Sequence, residues 1–223
     1  MLGKVWTIFR KDLLIELRTK DSLNAMLFFG VVVLVVFNFA LEPVRDSIRA
    51  AVPGVLWVAF AFSGTLGLNR IFAAEKENGA IQGLLMIPVD RGVVYLGKMA
   101  AATVFMLISE VAISVLALIF FNLTVWSEIP YLVLVCLVGT VGFTAVGTLL
   151  SAVAVNTRMR EVLLPLILFP VVVPILINAV EATSIVLNTV DYRALRQPLT
   201  VMAVFAIVFA TLAYLFFEYV LEE

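Results

Sequence analysis

The chain of 223 residues contains no histidine and a single cysteine, Cys136. Without histidine it lacks the most common protein ligand of zinc and of heme iron, and the usual general base of enzymes. A lone cysteine excludes an internal disulfide and every CxxC metal or heme-attachment motif. We therefore expect a chain that is not an enzyme and that binds no cofactor or metal of its own.

Charge is also scarce, because only 14% of the residues are charged while 63% are hydrophobic, and the mean hydropathy is +1.13. A soluble domain of this length is far more polar. The net charge of −1 gives no reason to expect nucleic-acid binding. The first twenty or so residues mix basic and acidic groups without a short apolar core, so we do not expect a signal peptide there.

Six apolar runs are long enough to cross a bilayer as helices, which takes about 20 residues each. They do not alternate in polarity as the strands of a membrane barrel do. The fold class predicted is an all-α membrane protein with six transmembrane helices in one domain, residues 1–223. The runs cover residues 23–41, 52–68, 99–121, 131–155, 162–180 and 199–219.

An even number of spans places both termini on one side, and the basic residues indicate which side. The amino terminus and the second and fourth connections together hold eleven Lys and Arg, whereas the first and fifth connections hold four. Basic residues are enriched in cytoplasmic connections. We expect a multi-pass protein of the cytoplasmic (inner) membrane with both termini in the cytoplasm and residues 181–198 as an outer connection, either passive or part of a gate.

The first 22 residues predict an amphipathic helix at the membrane interface. Its apolar residues recur at helical spacing, with the basic residues mostly off that stripe. It is either a passive anchor or an elbow that packs beside the second connection. The stripe consists of Leu2, Val5, Trp6, Phe9, Leu13 and Leu17.

The second connection, residues 69–98, is unusual because it combines charges with a short apolar strip. Gly79 can end a helix that continues from the second span. We predict a short cytoplasmic helix that docks a partner protein, with Ile81, Leu84 and Leu85 as buried contacts; a solvated loop is the alternative. Polar residues of this docking surface are Glu75, Glu77, Gln82 and Arg91.

Residues 92–99 nearly match a phosphate-binding loop, but Met99 stands where a magnesium-binding hydroxyl is needed. We therefore expect any ATP to be bound by a separate subunit.

The spans contain a few polar residues that are candidates for a functional site. Glu110 lies near the middle of the third span, where a charge is costly, so it either contacts a substrate or proton or bonds to another helix. Thr140, Thr144 and Thr148 share one face of the fourth span, where they either pack helices together or line a substrate path.

Two stretches resemble signatures of the heme exporter protein B family, the ABC-2-type permease of cytochrome c biogenesis. They are RIFAAEKENGAIQGLLMIPVDRGVVYLGK (residues 70–98) and NTRMREVLLPLILFPVVVPILINAV (residues 156–180). The resemblance covers nearly the whole chain; one departure is Gln82, where the family pattern has an acidic residue.

The resemblance implies a transport subunit of a larger complex. Such a permease forms a homodimer and joins a cytoplasmic ATP-binding subunit, a heme-handling membrane protein and a small membrane subunit. ATP hydrolysis in the partner would drive heme export or release of a heme-loaded chaperone. Two other interpretations fit the residues: an ABC-2 permease for another amphipathic substrate such as a lipid or drug, and a proton-coupled transporter that uses Glu110.

Overall fold

The computed structural model describes residues 1–41, 48–72, 90–155, 157, 159–189 and 192–220, and in these ranges every regular element is helical. Seven α-helices lie in the described part of the chain. They are α1 Leu2–Thr19, α2 Asp21–Ala40, α3 Ile48–Ile71, α4 Arg91–Phe120, α5 Ile129–Ala154, α6 Arg160–Ser184 and α7 Arg196–Val220. A π-helical turn, Ile185–Thr189, extends α6.

Helices α2 to α7 are the six that are long and apolar enough to cross a membrane. Each coincides with one of the six apolar runs, so the predicted all-α fold with six membrane-spanning helices is confirmed. The spans α3 and α5 are the most buried, and α2 and α7 are the least. The bundle is therefore organised around α3 and α5, while the outer faces of the other spans are left to lipid or to partner proteins.

Small residues let the central helices approach closely. A Cβ atom at Gly147 of α5 would collide with the Leu68 side chain of α3, and one at Gly142 would collide with Ile175 of α6. Such close contacts are the usual way in which helices pack in a membrane, where water does not drive them together.

Helix α1 and the end of α7 lie at the same end of the bundle, which we call the terminal end. There, the Arg91 guanidinium at the start of α4 donates a hydrogen bond to the Glu218 carbonyl oxygen near the end of α7, at 3.0 Å. The Tyr214 hydroxyl of α7 donates to the Asp90 carboxylate at 3.1 Å. Helix α1 packs against the first turns of α4, where Gly97 leaves space for Ile8. The end of α3 and the start of α4 are therefore at this end too.

The amino-terminal helix forms as the sequence indicates, but much of its apolar stripe faces away from the protein. The side chains of Leu2 and Trp6 are 86% and 62% exposed. Asp12 and Glu16 face the bundle instead, and a Glu16 carboxylate oxygen accepts the backbone N–H of Leu23 in the first turn of α2, at 2.9 Å. Because exposed apolar residues lie beside exposed basic ones such as Lys4 and Arg10, this helix is suited to lie in the membrane interface.

Two predicted boundaries differ most from the structure. The third span begins at Arg91, eight residues before the predicted start, because the Asp90 carboxylate accepts the Gly92 N–H at 2.8 Å and caps the helix. The fifth span continues beyond residue 180 to Ser184 and its π-helical turn, so residues 181–189 of the predicted outer connection are helical. Packing explains this extension, since the Trp57 indole N–H of α3 donates to Thr183 Oγ1 at 2.9 Å.

Candidate functional site

The predicted docking surface lies mostly outside the described residues. Arg91 is the one member that the structure describes, and its guanidinium binds the end of α7. Its role toward a partner protein stays a prediction, as do the roles of the other members. Those are Glu75, Glu77, Gly79, Ile81, Gln82, Leu84 and Leu85.

The residues that flank the segment 73–89 are held firmly in the bundle. Phe72, immediately before it, is buried and packs against Phe217 of α7, with ring centroids 6.2 Å apart. Tyr95, in the second turn after it, packs on the same Phe217 ring at 5.4 Å and donates its hydroxyl to the Ala145 carbonyl oxygen of α5. Both ends of the segment are therefore attached to one buried aromatic cluster at the terminal end.

Lys98 adds a charged contact to this cluster, and its side chain is fully buried. The Nζ atom lies 3.4 Å from Asp12 Oδ2 of α1, 3.4 Å from the Ile71 carbonyl oxygen and 4.6 Å from the centroid of the Phe72 ring. This ammonium group thus connects the amino-terminal helix with the end of α3 and the start of α4.

The sequence indicated Lys98 only as one of many cytoplasmic charges. The available signal was weak: Asp12 and Glu16 lie one turn apart beside an apolar stripe, and Lys98 follows two turns of mostly apolar residues. No feature of the sequence indicated that Lys98 and Asp12 are in contact.

A second polar group lies inside the membrane-spanning region. Glu110 of α4 is only 2% exposed, and Thr140 of α5 lies with its Oγ1 2.8 Å from both carboxyl oxygens. This contact joins α4 to α5. The hydroxyl of the adjacent Ser109 donates to the Met106 carbonyl oxygen and not to Glu110.

The other threonines of the fourth span continue this polar line toward the terminal end. Thr144 Oγ1 lies 2.7 Å from Thr103 Oγ1 of α4 and 2.8 Å from the Thr140 carbonyl oxygen. Thr148 is fully buried, and its hydroxyl has no hydrogen-bond partner among the described residues. The structure thus brings Glu110 and Thr140 into contact and leaves Thr144 and Thr148 on the same helix, one and two turns away.

Two cavities lie on either side of this polar line. The larger, which we call the side cleft, has a volume of about 410 Å³ between α3, α4 and α5 in the half of the bundle away from the terminal end. It is almost entirely apolar, with Glu110 at its base, and its rim includes the exposed side chains of Val111 and Val133.

The smaller cavity, which we call the terminal cavity, has a volume of about 90 Å³. It is lined at the terminal end by Asp12, Glu16, Arg70 and Lys98, and it extends inward to Thr144. Thr144 and Thr140, one helical turn apart, therefore lie between the terminal cavity and the base of the side cleft.

Neither cavity offers a recognisable metal site. Within the described ranges, no three Cys, Asp or Glu side chains come together to hold a metal ion. The chemistry that the arrangement offers is that of a buried carboxyl, a row of hydroxyls and a lysine–aspartate pair.

The chain is similar to known proteins over almost its whole length. The sequence model of the family described as CcmB protein matches residues 3–216. Heme exporter protein B of Paracoccus denitrificans is 30% identical over 175 residues, which cover 77% of this chain and 78% of that protein. The protein of the same name from Pseudomonas aeruginosa is 27% identical over 168 residues, with coverage of 75% and 74%. That from Rhodobacter capsulatus is 26% identical over 200 residues, with 88% of each chain covered.

Proposed function

The chain belongs to the CcmB protein family, and from this premise we propose that it is the permease subunit of an ABC transporter complex for cytochrome c maturation. The match over residues 3–216 carries this proposal, because it spans all six membrane helices and the connections between them. The relatives are named heme exporter protein B, so heme is the proposed cargo of the complex. The complex either exports heme itself or releases a heme-loaded chaperone.

Energy for this work comes from ATP hydrolysis in a separate cytoplasmic subunit. The segment 73–89 is the proposed docking site, with Ile81, Leu84 and Leu85 as apolar contacts and with Glu75, Glu77 and Arg91 around them. Support comes from its flanks, since Phe72 and Tyr95 both pack on Phe217 in the bundle. A displacement of the segment would therefore move the end of α3 and the start of α4, and through Phe217 it would also move α7.

Coupling of this kind requires two states of the bundle. A partner shifts an equilibrium only by the difference between its binding free energies for the two states. The ATP-binding subunit must therefore bind the segment 73–89 more tightly in one arrangement of α3 and α4 than in another. Lys98 is placed to transmit that difference to α1, because it contacts Asp12 and the end of α3.

We assign the terminal end to the cytoplasm. The amino terminus lies at this end, as do the helix ends that bound the second and fourth connections. These three segments of the sequence hold eleven of the fifteen Lys and Arg residues, as cytoplasmic segments do. The remaining partners of the proposed complex are a second copy of this chain, a heme-handling membrane protein and a small membrane subunit. The complex resides in the cytoplasmic (inner) membrane.

Deletion and complementation test this assignment. A strain that lacks the gene should fail to attach heme to its c-type cytochromes, as shown by heme staining of membrane and periplasmic proteins after electrophoresis. The wild-type chain should restore the staining. Normal c-type cytochromes in the deletion strain would contradict the proposal and favour an ABC-2 permease for another amphipathic substrate, such as a lipid or a drug.

A further inference from the structure

Glu110 differs from other acidic residues of the described chain because it is buried among apolar side chains in the middle of a span. No lysine or arginine belongs to the described residues that line the side cleft. The titratable group that shares the cleft with it is Cys136 of α5. Asp12, Glu16, Arg70 and Lys98 belong to the terminal cavity instead. An ionised carboxylate in such surroundings is costly without a charged partner.

The hydrogen bonds around Thr140 indicate where a proton is placed. Its hydroxyl has one hydrogen, but three acceptor oxygens lie near Oγ1: Glu110 Oε1 and Oε2 at 2.8 Å, and the Cys136 carbonyl oxygen at 2.7 Å. If Glu110 were ionised, all three would compete for that single hydrogen. A neutral Glu110 resolves the competition, because its O–H donates to Thr140 Oγ1 and the Thr140 O–H donates to the Cys136 carbonyl.

The terminal cavity offers this proton a route to water. A volume of about 90 Å³ is large enough for several water molecules, each of which needs about 10–15 Å³ of this kind of volume. The cavity reaches Thr144, whose Oγ1 lies 2.8 Å from the Thr140 carbonyl oxygen. Because Thr144 donates to a backbone carbonyl and not to Thr140 Oγ1, water from the cavity must bridge this last helical turn to reach Glu110.

From this geometry we propose that Glu110 is a proton-binding site of the bundle. Its neutral carboxyl fastens α4 to α5 through Thr140. When the two helices separate, water enters between them from the terminal cavity, the carboxyl O–H bond breaks, the electron pair stays on the carboxylate, and the proton passes to that water molecule. Opening of the side cleft is then linked to proton release, since the ionised form is stable only where water reaches it.

The test uses the purified full-length chain in a detergent without ester groups, whose carbonyl stretch would overlap the band, and needs neither the ATP-binding subunit nor heme. The infrared spectrum of the wild type at neutral pH should contain the carbonyl stretching band of a protonated carboxylic acid. Glu110→Gln, which keeps the size and loses the proton, should remove this band. Glu128 is a matched control, because it is also buried but lies outside the membrane-spanning helices beside Ser127. Glu128→Gln should leave the band unchanged.

A wild-type spectrum without this band at neutral pH, or a band that persists in Glu110→Gln, would overturn the proposal. Should Glu110→Gln fail to fold, modification of the wild type by a lipid-soluble carbodiimide, which attacks protonated carboxyls, decides in the same way. Modification of Glu110 that slows as the pH rises supports the proposal, and no modification at any pH overturns it. Neither outcome depends on the transported substrate, so the heme-staining assay and this test can fail independently.

Discussion

The Lys98 ammonium of α4 lies 3.4 Å from the Asp12 carboxylate of α1, although 86 residues separate them in the chain. Lys98 is fully buried, whereas the Asp12 side chain is 15% exposed and also lies 3.0 Å from Lys11 Nζ. Loss of Asp12 would therefore leave a buried charge at Lys98, whereas loss of Lys98 would leave a charge at Asp12 that is partly exposed and close to Lys11. This asymmetry leads to the first prediction.

Asp12→Asn should destabilise the protein more than Lys98→Met. Removing one partner of a buried ion pair costs about 3–5 kcal/mol when the other charge is left buried. Asp12→Asn leaves the fully buried Lys98 ammonium, whereas Lys98→Met leaves Asp12, which is partly exposed and still has Lys11 beside it. We expect the lower end of that range for Asp12→Asn, because Lys98 also contacts the Ile71 carbonyl and the Phe72 ring. Thermal unfolding in detergent, followed by the loss of the monodisperse peak in size-exclusion chromatography, measures the difference.

Arg10→Met is the matched control for this pair, because Arg10 is exposed on the same helix. It should change the unfolding temperature little. The double variant Asp12→Asn/Lys98→Met should be more stable than Asp12→Asn alone. Equal destabilisation by Asp12→Asn and Arg10→Met would show that the Lys98–Asp12 contact contributes nothing to stability.

Gly139→Ala should destabilise the bundle because its new methyl group meets a ring that is held in place. A Cβ atom there would collide with the indole ring of Trp57, and that indole is fixed by its bond to Thr183. Overpacking of this kind costs about 1–3 kcal/mol. The same unfolding assay measures the effect.

Gly54→Ala provides the comparison, since Gly54 also lies in a membrane-spanning helix but has nothing within 4 Å of its Cβ position. Alanine is preferred to glycine within helices by up to about 1 kcal/mol. Gly54→Ala should therefore be neutral or stabilising. A result in which both variants behave alike would mean that the α3–α5 contact is looser than described.

The sequence predicts the six spans well because a bilayer demands apolar runs of a certain length, and that requirement is local. Span ends are predicted less well because they depend on single side chains. Asp90 starts α4 eight residues early through a capping bond, and the Trp57–Thr183 bond extends α6. Neither hydrogen bond alters the hydrophobicity of the sequence, so a search for apolar runs does not detect it.

Contacts between helices could not be predicted, because they join residues far apart in the chain. Glu110 was an obvious candidate for a buried charge, but its partner Thr140 is 30 residues away and was indicated only as part of a polar helix face. Lys98 and Asp12 each look like ordinary surface charges. Only the packing of α1 against α4 makes them a buried pair.

Orientation can be tested by cysteine labelling, because the chain has one native cysteine to remove. In a Cys136→Ser background, Trp126→Cys should react with a membrane-impermeant maleimide in intact spheroplasts, since Trp126 is 82% exposed in the connection opposite the terminal end. Gln82→Cys should react only after the membrane is opened. The reverse pattern would place the terminal end outside the cytoplasm.

Docking of the ATP-binding subunit at residues 73–89 is the central claim. Its most direct test is co-purification of that subunit with tagged Leu84→Asp, compared with Trp126→Asp, which places the same charge at the opposite end of the bundle. We predict that Leu84→Asp inserts into the membrane at normal yield but loses the ATP-binding subunit, while Trp126→Asp retains it. Retention of the subunit by Leu84→Asp at the wild-type level would contradict the account.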